Sequence, residues 1–205
     1  MSIELGREIA KRLGVGFEPV GYANVVELNQ STDSKAWDIV VRSYEVGRAA
    51  ILDFTAPFME VESTFLVPQG SLLNHVSEFD QPGIRLVFPR QSSPDLYFQK
   101  NPPKHATLER TAGPGPAIEM LKTGQADAFA QNRELLIVSS QQIPGSRVLS
   151  GSYDTLTVAL AVHKGRAAAV EYLDRLIEEL KASGFIKDAI SRSGLVSAKV
   201  APPAK

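Results

Sequence analysis

Arg48 stands seven residues after one apolar stretch of this chain ends at Val41, and directly ahead of a second. Ala36-Trp37-Asp38-Ile39-Val40-Val41 is an apolar run of strand length, which predicts a buried strand over 38–41. Arg48 follows, and a second run, Ala49-Ala50-Ile51-Leu52, is closed by Asp53-Phe54-Thr55-Ala56-Pro57-Phe58. An arginine there reads either as a surface residue near a strand end or as a contact whose planar fork can give one carboxylate two parallel hydrogen bonds. Asp53 reads as a structural residue holding the loop after Arg48, and Trp37 as core.

The rest of the chain alternates strands and helices. Ile3, Leu5, Ile9 and Leu13 form one face of a helix capped by Ser2 and stopped by Gly14. Val15–Val20 reads as a weakly alternating strand, 23–28 as helical, and Met59–Val67 as a long strand. A strand is predicted over 84–88. Ser92-Ser93-Pro94-Asp95 then reads as a helix start, with proline near the first helical position. Strands over 106–110, 127–130 and 156–162 and helices over 116–122 and 133–138 follow. Ala167–Lys181 places Val170, Leu173, Leu176, Ile177 and Leu180 on one face. A short helix over 185–190 comes next, and the Ala-Pro-Pro-Ala-Lys end is expected to fray. This alternation predicts an α/β architecture with parallel sheets.

Composition narrows the function. A net charge of -1 over 205 residues supplies no basic field for nucleic acid. The absence of cysteine excludes disulfides, thiolate metal sites and cysteine nucleophiles. No apolar run approaches the roughly 20 residues that span a bilayer. Residues 2–13 lack the hydrophobic core of a signal peptide. His75, His105 and His163 are dispersed, without metal-ligand spacing, and no metal or other cofactor is implied. Ser92 and Ser93 have no neighbouring base that would make them nucleophiles. They read either as a plain helix cap or as hydroxyls and N–H groups that meet an anion. Arg42, Arg90 and Arg133 would add positive potential for an anionic ligand, although isolated arginines are more often solvated.

Together these segments resemble family 3 solute-binding proteins, the amino-acid-type receptors of ABC importers. The Trp37-Asp38-Ile39-Val40 strand and the Arg48–Phe58 segment carry the likeness first. Phe65-Leu66-Val67-Pro68-Gln69-Gly70-Ser71 looks like the hinge strand that enters the second lobe. Pro82-Gly83-Ile84-Arg85-Leu86-Val87, Gln91-Ser92-Ser93, Gly124-Gln125-Ala126-Asp127-Ala128 and Ala182-Ser183-Gly184-Phe185-Ile186 follow in the family's order.

The resemblance implies a type II periplasmic-binding-protein fold with two α/β lobes, joined by hinge strands and closing on a ligand cleft. Lobe 1 would comprise 1–67 plus 155–205, and lobe 2 would comprise 68–154. It implies that Arg48 clamps a ligand carboxylate, with Ser43, Ser92, Ser93 and Asn132 as further ligand contacts. A periplasmic location, importer membrane subunits as partners, a small organic anion or amino acid as ligand, and no enzymatic activity follow from the same likeness. The alternatives are an enzyme on this scaffold, similar to cyclohexadienyl dehydratase, and a degenerate or sensory binding protein. For the enzyme, Glu45 and Glu62 are the nearest carboxylates to the clamp in sequence.

Two departures from the family pattern carry expectations of their own. Family members begin with a strand and an aromatic-bearing loop, whereas this sequence opens on the helix. The first sheet is therefore expected to close differently or to pair with a second copy as a homodimer. Asn132 stands where amino-acid receptors commonly place an aspartate for the ligand ammonium. Its neutral amide points to carboxylates that lack that ammonium.

Overall fold

The structure is a computed structural model and describes residues 1–34 and 36–204. The helices are α1 (Ser2–Leu13), α2 (Val25–Gln30), α3 (Val46–Ala49), α4 (Ser93–Lys100), α5 (Pro114–Lys122), α6 (Arg133–Ser140), α7 (Ala167–Ala182) and α8 (Phe185–Arg192). The strands are β1 (Ile39–Ser43), β2 (Leu52–Phe54), β3 (Met59–Val67), β4 (Arg85–Pro89), β5 (Thr107–Thr111), β6 (Ala128–Asn132), β7 (Arg147–Val148), β8 (Asp154–His163) and β9 (Lys199–Val200). The chain divides into two compact units. One is Met1–Tyr22, Gln30–Val61 and Thr157–Lys205; the other is Ala23–Asn29 and Glu62–Leu156. The segment Ala23–Asn29 thus groups with the second unit, whereas the expected lobe boundaries put it in the first.

In the first unit β8 is the organising strand. It pairs antiparallel with β1, from Ile39 opposite Val162 to Ser43 opposite Val158, and with β2, from Leu52 opposite His163 to Phe54 opposite Ala161. Strands flank its fully apolar stretch Val158–Val162 on both edges, which pairs the backbone, and its side chains are buried. The expectation of parallel sheets fails here, since every pairing described in this unit is antiparallel. The Tyr44 N–H bonds to the Thr157 carbonyl, so the backbones of Val40 and Arg42 also face β8. Those of Ile39 and Val41 turn to the other edge, where no strand pairs among the described residues.

α7 buries Leu173, Leu176, Ile177 and Leu180, and α8 buries Ile186, Ala189 and Ile190. α1 adds Leu5 and Ile9 to the buried set. It ends at Gly14, whose φ of 68° is open to glycine. The expected Ser2 cap is absent: Ser2 is the first helical residue, and Met1 occupies the cap position without a side-chain bond. Val15–Val20 is not a strand, and Val15 and Val20 are exposed. An apolar alternation without a neighbouring strand leaves its backbone groups to water and forms no ladder. Lys205 lies outside the described residues, and the segment before it is pinned rather than frayed at Ala201 and Pro202. β9 pairs with the start of β3, Ala201 N–H bonds to the Phe58 carbonyl, and Lys181 Nζ donates to the Pro202 carbonyl at 2.6 Å.

The second unit is a sheet covered on both faces. β4 runs parallel to β5 and β6, while β3 is antiparallel to β6 and β7. Side chains alternate between the two faces with period two. Phe65, Val67, Leu86, Phe88, Ala128 and Ala130 pack in one cluster with Phe98 of α4. Leu66, Val87 and Phe129 join the other, with Ala117, Ile118 and Leu121 of α5 and Leu136 of α6. Leu86–Phe88 and Ala128–Ala130 are apolar without alternation because neither face meets water there.

Candidate functional site

In the first unit, β1 delivers Arg42 and Ser43, and the single turn of α3 returns Arg48 to the end of that strand. The turn closes through Ala49 N–H to the Glu45 carbonyl at 2.9 Å, and Ile51 N–H bonds to the Arg48 carbonyl at 3.1 Å. β2 then locks the following residues, with Thr55 N–H on the Leu160 carbonyl and Phe58 N–H on that of Val158. Arg48 is therefore placed from both sides by backbone hydrogen bonds. Its Nη1 donates to Ser43 Oγ at 2.5 Å and to the Ser43 carbonyl at 3.2 Å.

Arg48 is buried, at 8% exposure, and Arg42 more so, at 6%. Burial lowers the Arg48 pKa, and the Glu45 carboxylate opposes that shift. Burial, followed by the charge of Arg48, lowers Arg42 to about 10. The corner can hold an anion, because a buried guanidinium favours a negative partner over none.

Asp53 ties β2 to the entrance of α7, and its partner Lys164 also donates to the Ala49 carbonyl, directly after Arg48, at 2.9 Å. Its carboxylate pairs with Lys164 at 2.8 Å and accepts the Gly165 and Arg166 N–H groups. These partners, Lys164 first, hold the carboxyl below the ordinary range. Trp37 is core as expected: it stacks on His163 with centroids 4.1 Å apart and donates from Nε1 to Ser31 Oγ at 2.9 Å.

In the second unit, the loop between β4 and α4 carries Gln91, Ser92 and Ser93. Ser92 is buried and caps α4: its hydroxyl donates to the Pro89 carbonyl at 2.6 Å and accepts from Asp95 N–H at 3.5 Å. Ser93, half-buried, is the first helical residue. Gln91 has a φ of 60°, a left-handed conformation costly for a side chain with a Cβ. Asp95 holds it there, accepting Gln91 N–H at 2.7 Å, Arg110 Nε at 2.7 Å and Gln99 Nε2 at 3.1 Å. Burial pushes the Asp95 carboxyl up, but these donors outweigh it and the pKa ends below the usual range.

Asn132 caps α6, its Oδ1 accepting Leu135 N–H at 3.0 Å. Arg133 pairs with Glu62 at 3.0 Å and donates to the carbonyls of Leu149 and Gly151, so its charge is engaged within this unit. Arg90 is exposed. His75 caps a short 3-10 turn and His105 is exposed. Among the described residues, no three His, Asp or Glu side chains are arranged to hold a metal ion, and no helix is long and apolar enough to cross a membrane.

Of the expected contacts, the structure joins Ser43 to Arg48 in one unit and sets Ser92 beside Ser93 in the other, with Asn132 at the end of β6. Sequence reasoning missed Asp95. Its signal was present in Ser92-Ser93-Pro94-Asp95, the spacing of a capping box.

The sequence profile of the bacterial extracellular solute-binding proteins, family 3, matches residues 1–193. The chain belongs to that family. No curated protein matches it. Three solved structures show how widely this family 3 protein shares its type II periplasmic-binding-protein fold. A putative binding component of an ABC transporter from Wolinella succinogenes, complexed with lysine, is 22% identical. It aligns with a TM-score of 0.80 over 93% of this chain and 83% of its own. The solute receptor for L-cysteine of Neisseria gonorrhoeae is 24% identical, with a TM-score of 0.75 over 93% of this chain and 78% of its own. An ancestral amino acid-binding protein, a precursor of cyclohexadienyl dehydratase, is 18% identical, with a TM-score of 0.78 over 93% and 82%.

Proposed function

We propose that this family 3 protein is the solute-capturing receptor of an ABC importer and binds a small carboxylate, an amino acid or related organic acid, through Arg48. The observation that carries the reading is the buried Arg48 guanidinium, held by Ser43 at the end of β1. One nitrogen bonds Ser43, which fixes the plane of the fork against which a carboxylate would align. The family and its binding-protein neighbours support capture without chemistry. Its location is taken to be periplasmic, its partners the importer's membrane subunits, and a second copy is taken to pair along the open edge of β1. Asn132, as a neutral amide, favours carboxylates without an α-ammonium. A dehydratase-like reading needs a general acid beside Arg48. Glu62 is committed to Arg133, which leaves Glu45, whose charge reaches Arg48.

Calorimetry on Arg48→Ala tests the proposal. Carboxylate binding should vanish while circular dichroism is unchanged, and Arg48→Lys should also bind weakly, because the fork is lost. Undiminished affinity in Arg48→Ala would remove the reading.

A further inference from the structure

Arg42 lies on β1 opposite Ala159, one residue from the serine that holds Arg48. The residue is more than nine-tenths buried, its guanidinium nitrogens are not among the fully enclosed unpartnered polar atoms, and among the described residues no hydrogen bond or ion pair reaches them. Other arginines of this chain have anionic partners: Arg85 pairs with Asp127, Arg110 with Asp95, Arg133 with Glu62 and Arg192 with Glu4. A buried guanidinium without a counter-ion is costly, and a second cation beside it raises that cost. Arg48 is that second cation, close enough to depress the Arg42 pKa further after burial has lowered it. Two buried guanidinia at one strand end, one of them unpartnered, make a site for more negative charge than a single carboxylate brings.

We infer that Arg42 is a specificity-determining ligand contact, and that the solute carries a second anionic group for it beside the carboxylate taken by Arg48. The ligand class is then a small dicarboxylate, including an amino acid with an acidic side chain. This rests on the reading of Arg48 as the carboxylate clamp. A dianion would satisfy both guanidinia, whereas a monocarboxylate would leave Arg42 buried and unpaired.

The test compares near-isosteric pairs that differ by one charge: succinate with succinamate, and L-glutamate with L-glutamine. Each is titrated calorimetrically into the wild type, Arg42→Met and Arg48→Met, with inorganic phosphate as a further probe. The wild type should bind the dicarboxylate of at least one pair more than about tenfold tighter than its amide. Arg42→Met should erase that preference while keeping affinity for the amide, and Arg48→Met should lose both. Arg42→Met should also unfold at a higher temperature than the unliganded wild type, whereas a merely structural role for Arg42 would lower the midpoint. Equal affinity for acid and amide in the wild type, or a preference that survives Arg42→Met, overturns this inference and leaves the Arg48 reading standing. Phosphate binding more tightly than every carboxylate also overturns it. No binding of any carboxylate overturns both readings.

Discussion

Nη1 of Arg48 donates to both the hydroxyl and the carbonyl of Ser43, five residues earlier. The hydroxyl contact is a side-chain choice that mutation can remove, while the carbonyl contact persists. Ser43→Ala should therefore leave the fold intact and weaken carboxylate binding by about 1 kcal/mol. Titration of the variant against the wild type measures this, and an unchanged affinity would mean that the hydroxyl does not help place Arg48.

Replacing Arg42 should stabilise the empty protein. Arg42→Met removes a buried, unpaired charge, and a gain of about 1–3 kcal/mol is expected at neutral pH. The pH dependence has a definite sign. The folded-state pKa, near 10, lies below the ordinary guanidinium value. The cost of charged Arg42 is full below that pH and is relieved as pH rises above it, because the native state sheds its proton first. Urea unfolding at two pH values, one below and one above the folded-state pKa, should show the stability gap between variant and wild type narrowing. A gap that widens instead would contradict the assignment.

Asp95→Asn should destabilise the protein by about 2–3 kcal/mol, because Gln91 N–H and Arg110 lose a charged acceptor. The depressed carboxyl pKa means that its contribution is present above about pH 4, the unfolded value, and is lost as pH falls through the folded one. Acid unfolding should therefore begin at a lower pH in the wild type than expected of an unperturbed carboxylate, and that extra acid resistance should be missing from the variant.

Asn132 supplies a cap, so Asn132→Ala should cost about 1 kcal/mol of stability. Asn132→Asp keeps the cap and adds a carboxylate. If its neutrality sets the ligand class, Asn132→Asp should gain thermal stabilisation from L-amino acids, while simple carboxylates should stabilise the wild type at least as well. Strong stabilisation of the wild type by common neutral amino acids alone would contradict this.

The outward-facing backbone of Val41 offers a direct test of pairing along β1. Val41→Pro removes a donor from the open edge without touching the β8 ladder. Light scattering should report a dimer for the wild type and a monomer for the variant. A wild type that stays monomeric at high micromolar concentration would dismiss the second copy.

Much of this protein is local in origin and therefore legible in the chain. The apolar stripe of α7, the Pro-marked start of α4 and the doubly buried runs of β4 and β6 each follow from periodicity and turn chemistry within a few residues. The position of Arg48 between two apolar runs likewise needed no coordinates. Other features depend on partners distant in sequence, and there the chain alone misleads. Val15–Val20 has strand-like alternation but no neighbouring strand to complete it, whereas the proline-rich end is ordered because β9 finds β3. Arg42 looks like any solvated arginine in a list of residues. Its burial beside Arg48 is set by β1 and β8 pairing over more than a hundred residues of separation, and no local pattern records how much water that packing removes from a charge.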